Sequence, residues 1–170
     1  VGWRLLTLSK ALAMAGGLVF VALVVMSIVS IVGRKLAAAP VPGDVEVLQM
    51  SAAFACACFF AYCHMVGGDV KVDFFTANMS ARNVHRLDAL GSFLFGLMGA
   101  VLAWRGTVGA LAMRASEETS VILGVPVWIA QILMQPGLIL MALAGFYMAF
   151  AHLRASAAAP RAKHKPEALA

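Results

Sequence analysis

Apolar residues fill this chain in four long runs, and the polar positions are gathered between them. Residues 11–32 carry no charge at all. A hydrocarbon core of ~30 Å needs ~20 helical residues to cross it, so this run predicts a first membrane-spanning helix. Gly33-Arg34-Lys35 closes it, and Pro40 and Pro42 forbid helix continuation in the short connection that follows. A second span is predicted over 45–66. Asp44 stands at its N-cap, and Glu46 lies in a first turn where the helix dipole favours a carboxylate.

Gly67-Gly68 ends that run and opens the longest charged interruption, residues 67–88, with Asp69, Lys71, Asp73, Arg82, Arg86 and Asp88. Charged and apolar residues alternate over 69–74, but a lone strand at a membrane surface would leave its edges unpaired. The pattern predicts instead a short interfacial segment between spans two and three, with Val72, Phe75 and Met79 towards lipid. Ser80 is the expected cap of the helix beyond it.

The third span is predicted over 87–113. Ser92, Gly96, Gly99, Ala103, Gly106 and Ala110 recur along one of its faces at three- and four-residue spacing. Small residues in a stripe let two helix backbones approach closely in a membrane, so Gly96, Gly99, Ala103, Gly106 and Ala110 are read as a helix-packing seam. After a loop holding Glu117 and Glu118, Pro126 starts the fourth span, 127–152, where its missing N–H costs nothing. Residues 153–170 are rich in Ala, Pro and Lys and are expected to form a flexible basic tail. The fold class predicted is all-α: four transmembrane helices in one membrane domain, residues 1–152.

Composition agrees. The 170 residues are 62% hydrophobic and only 12% charged, with a mean hydropathy of +0.91. Soluble domains run near ~45–50% apolar and ~25% charged. The net charge of +5 does not point to nucleic acid, because the cations flank the apolar runs as topology signals do. The first run is expected to be a retained span rather than a signal peptide.

Four spans put both termini on one side, together with nine cations: Arg4, Lys10, Lys71, Arg82, Arg86, Arg154, Arg161, Lys163 and Lys165. Three, Arg34, Lys35 and Arg114, fall on the other side. Cytoplasmic loops carry the excess of Lys and Arg, so both termini and the 67–88 block are expected in the cytoplasm.

Little in the chain offers chemistry. Cys56, Cys58 and Cys63 share one apolar run and read as small apolar residues, with no metal-ligand spacing. There is no glycine-rich phosphate loop, no nucleophile–base pair and no carboxylate dyad, so an enzyme is not expected. The spans hold too few polar groups to bind a solute. Arg105 is the one charge well inside a span, beside Trp104; it either snorkels to headgroups or pairs with Glu118 or a partner chain. Glu46 and Gln49, one turn apart, read as a hydrated helix start or a polar contact to another subunit. His64 and His152 lie at the cytoplasmic ends of spans two and four, and a haem-binding membrane anchor of a redox enzyme is the alternative they raise.

Three stretches resemble the small membrane (Q-type) subunit of TRAP transporters, the tripartite ATP-independent periplasmic transporters. They are Val41-Pro42-Gly43-Asp44-Val45-Glu46; Gly68-Asp69-Val70-Lys71-Val72-Asp73-Phe74-Phe75; and Trp104-Arg105-Gly106 with Glu118-Thr119 and Leu123-Gly124-Val125-Pro126-Val127-Trp128. Asp69 stands where many members carry histidine, and Gln135-Pro136-Gly137 in span four also looks familiar. The resemblance implies a scaffold in a bacterial or archaeal cytoplasmic membrane. Its implied partners are a large multispan subunit, which holds the solute and sodium, and a periplasmic protein that delivers an organic anion such as a carboxylate. No cofactor is expected in this chain. Interface candidates are then Glu46, Gln49, Lys71, Asp73, Arg105, Glu118, Pro126 and Trp128.

Overall fold

The computed structural model describes residues 2–37, 41–69 and 79–158. It contains four helices: α1 (Gly2–Ala37), α2 (Asp44–Met65), α3 (Ala81–Ala115) and α4 (Val127–Ala158). All four are long and apolar enough to cross a membrane. Lys71, Asp73 and nearly all of the expected interfacial segment lie outside the described residues.

Three helices run past the ends of their apolar runs. α1 continues through Lys10 and Arg4 at one end and through Arg34 and Lys35 at the other. At 1.5 Å per residue its 36 residues extend ~54 Å, well beyond the hydrocarbon thickness. Charge ends a span but not a helix, because Lys and Arg are good helix formers in water. The same reason corrects the tail boundary. Residues 153–158, LRASAA, are helical and belong to α4 rather than to a flexible segment.

Two caps also differ from expectation. Gly43, at φ 72° in the left-handed region, occupies the N-cap of α2, and Asp44 is already helical. Ser80 does precede α3, but its side chain makes no capping bond; its carbonyl accepts from the amides of Asn83 and Val84 at 2.8 and 3.1 Å.

The helices lie side by side in the order α1, α2, α4, α3. The backbone of α4 packs against α3 and α2, that of α2 also packs against α1, and α1 touches α4 only slightly. This is a layer rather than a closed bundle, with α4 inside it and α1 and α3 at its edges. A glycine sits at every crossing. A β-carbon on Gly16 would come within 2.9 Å of Cys58 Cβ and 3.0 Å of the Ala55 carbonyl, where α1 meets α2. One on Gly137 would meet the Ala57 carbonyl at 2.6 Å, where α2 meets α4. One on Gly99 would lie 2.8 Å from Ala142 N, between α3 and α4. Without side chains to hold them apart, the backbones gain close van der Waals contact, the main attraction between helices already in lipid.

The buried residues follow this geometry. Ala57, Leu138 and Met141 form one cluster, joined by Phe95 and Ala103 from α3. Ala61, Leu140 and Ala144 form a second, joined by Leu5 and Leu12 from α1. α4 contributes to both, as the inner helix of a layer must.

Candidate functional site

The polar ties concentrate at the end of the layer formed by the α1–α2 and α3–α4 loops. Asp44, brought to α1 by the tight turn at Gly43, accepts hydrogen bonds from Ser30 Oγ and from Arg34, the latter at 3.3 Å. The carboxylate that the sequence suggests as a cap thus fastens α2 to α1 instead.

Glu46 does more than complement a helix dipole. Its two carboxylate oxygens accept the backbone amides of Ile122 at 2.9 Å and Leu123 at 3.1 Å, 76 and 77 positions away. The receiving loop is itself closed. Thr119 bridges Pro126, the Ser120 amide donates to the Val125 carbonyl at 2.8 Å, and Gly124 turns in the left-handed region at φ 65°. Leu123 then lies against Gly43, where a β-carbon would meet its Cγ at 2.5 Å. One carboxylate and one leucine therefore join the two loops.

The start of α4 completes this end. Pro126 precedes the helix and its carbonyl accepts from Ile129 N at 3.2 Å. The Arg114 guanidinium lies over the Trp128 ring, 5.3 Å from its centroid, holding the end of α3 to the start of α4. Beneath the loop is an open pocket of about 490 Å³, lined by residues that include Glu46, Gln49, Met50, Ser120, Gln131 and Met134. Gln131 Oε1 is enclosed and finds no hydrogen-bond donor among the described residues.

The interface candidates thus separate. Glu46, Gln49, Pro126 and Trp128 gather at the loop end. Glu118 is exposed there, and among the described residues its carboxylate accepts only a bond from Ser116 Oγ at 3.2 Å. Arg105 is also exposed, about 15 Å along α3 from the loop end. It makes no ion pair with Glu118 and has no hydrogen-bond partner among the described residues. Beside it, Trp104 is 73% exposed.

The small-residue face of α3 turns inward, against α4. Gly96, Gly99 and Ala110 are buried, and Gly106 meets the Gln135 side chain. Ala103 packs on the Ala57 cluster.

Ser30 and Ser120 were not singled out from the sequence, which offered Asp44 only as a helix cap and Arg34 and Arg114 only as cations flanking the spans.

At the opposite end, His64 is buried, pairs through Nδ1 with Asp69, and stacks on Phe95 with ring centroids 4.2 Å apart. Its Nε2 is enclosed by protein. His152 instead lies beside His85, 6.0 Å between centroids. The two histidines that raised the haem alternative are engaged with different neighbours.

The model of the family described as "Tripartite ATP-independent periplasmic transporters, DctQ component" matches residues 21–155. The chain belongs to this family. The match takes in α2 and α3 entire, the latter part of α1, most of α4, and both loops joined by Glu46. As a DctQ component, the chain is a small membrane subunit of a tripartite transporter, as the three sequence motifs implied. No curated protein and no solved structure matches it. With the family established, no observation favours a redox anchor.

Proposed function

We propose that this DctQ component is the scaffold of a sodium-coupled, binding-protein-dependent importer of an organic anion, with solute and sodium held on the large membrane subunit. The observation that carries the reading is the outward placement of Arg105. A guanidinium on the apolar surface of a spanning helix is costly unless it reaches headgroups or meets a carboxylate, and its own chain supplies no partner among the described residues. A neighbouring subunit's carboxylate fits that requirement. The internal polar ties at the loop end support the same reading, since they stiffen a part that would meet other proteins.

In this reading the loop end faces outward, both termini face the cytoplasm and the protein lies in a bacterial or archaeal inner membrane. The nine-to-three distribution of cations supports that orientation. The spans hold few buried polar side chains, which suits a subunit that braces a transport domain and binds no solute of its own.

Co-expression with a large membrane subunit of a tripartite transporter from the same source tests the proposal. Recovery of the two as one complex, and uptake of a carboxylate only when both are present with sodium, is the expected result. Uptake at full rate by the large subunit alone would refute the scaffold role.

A further inference from the structure

At the end opposite the loops, three metal-ligating side chains converge from two helices. His85 and Asp88 lie three residues apart in the first two turns of α3, a spacing that puts both on one face. His152, near the end of α4, meets them across the helix–helix contact. One ring nitrogen of each histidine and one carboxylate oxygen of Asp88 lie within 4.8 Å of one another. All three residues are half-buried, and the imidazole rings are inclined by 30° at 6.0 Å. In addition, His85 Nδ1 is enclosed and has no hydrogen-bond partner among the described residues.

We infer that His85, Asp88 and His152 bind a divalent transition-metal ion of the zinc class, fastening the start of α3 to the end of α4. Two imidazoles and a carboxylate suit such an ion, whereas magnesium and calcium take oxygen ligands almost exclusively. Around a tetrahedral ion with bonds of ~2.1 Å the donor atoms stand ~3.4 Å apart. The three donors, within 4.8 Å of one another, need to draw in by an ångström or so to reach that spacing. Three protein ligands leave a position for water or a fourth donor. Arg82, one turn before His85, adds positive charge on this side, so the negative charge of Asp88 is needed to hold the ion.

This pairing is separate from the glycine crossings, which hold α3 and α4 together through their apolar parts. It lies where α3 begins, just beyond the charged link from α2. A metal there would tie the start of α3 to the end of α4 at the end of the layer opposite the Glu46 brace.

The test uses the full chain in detergent, purified on a tag without histidine, stripped with chelator and reloaded with zinc. Expected are one ion per chain and a zinc-dependent rise in melting temperature, since an ion that binds only the folded form stabilises it. His85→Ala and His152→Ala should each weaken binding by more than ~100-fold, because even outer-shell changes cost 10–100-fold. Asp88→Asn should weaken it as well, and His164→Gln in the tail should leave it unchanged. Zinc retained by both alanine variants, or none retained by the unaltered chain, would overturn the inference. Cobalt in the unaltered chain decides the matter even if the variants misfold. Visible ligand-field bands of a nitrogen–oxygen site support it, and a thiolate-to-cobalt band in the near ultraviolet would move the ion to the cysteines and refute it.

Discussion

Gly145 of α4 crosses Gly96 of α3 so closely that a β-carbon on Gly145 would lie 2.5 Å from the Gly96 Cα. Gly96 N is equally near and Ser92 O lies at 2.9 Å, so backbone faces backbone and neither side can yield by turning a side chain. The contact joins an edge helix to the inner helix of the layer.

Gly145→Val should therefore push α3 away from α4. Overpacking of this kind costs about 1–3 kcal/mol, read as a lower melting temperature in detergent. Gly91→Ala is the matched control, as a β-carbon there meets nothing within 4 Å. It should be neutral or gain up to ~1 kcal/mol from lost chain entropy. Equal losses in the two variants would show that helix flexibility, and not the crossing, is at issue.

Glu46 predicts a protection pattern. Hydrogen exchange at the Ile122 and Leu123 amides should be slow in the unaltered chain and roughly tenfold faster in Glu46→Ala. Glu46→Gln, which keeps an acceptor without the charge, should fall between them. Unchanged exchange at these two amides in Glu46→Ala would mean that the loop closes by itself through Ser120 and Val125.

Arg105 and Glu118 stand unpaired with each other, so their substitutions should act separately. Arg105→Ala should lower recovery of the large subunit, and Arg105→Lys should restore part of it, because the charge returns without the guanidinium fork. Glu118→Ala should reduce uptake at a low concentration of the delivering protein more than at saturation. Full co-purification and normal uptake in both alanine variants would remove both residues from the interface.

The orientation can be read by thiol labelling in intact cells, in a variant with Cys56, Cys58 and Cys63 replaced by alanine. Ser116→Cys, exposed at the loop end, should react with an impermeant reagent, and Ala158→Cys should not. Ser156 is unsuitable because its side chain is buried and bonded to the Leu153 carbonyl at 2.8 Å. Labelling at Ala158→Cys alone would invert the topology.

Much of the site was in view along the chain yet misplaced in role. Glu46 was legible as a carboxylate in a helix's first turn, and its true targets were not. Backbone amides have no signature in a sequence, and the receiving loop lies 76 positions on. Asp44 looked like a cap because Asp commonly is one. Gly43 took that place by adopting a positive φ, which freed the aspartate for Ser30 and Arg34.

By itself the sequence determined that this chain has four helices long and apolar enough to cross a membrane, and which family it belongs to. Hydropathy is a local property, summed over some 20 neighbouring residues, and the motifs are contiguous. Only the tertiary structure decided the order α1, α2, α4, α3, that the Gly96–Ala110 seam meets α4, and the outward turn of Arg105. Every helix here is apolar on all sides, so no hydrophobic face indicates which neighbour it meets. That choice rests on where glycines on two different helices can coincide, and on carboxylates finding donors from distant parts of the chain.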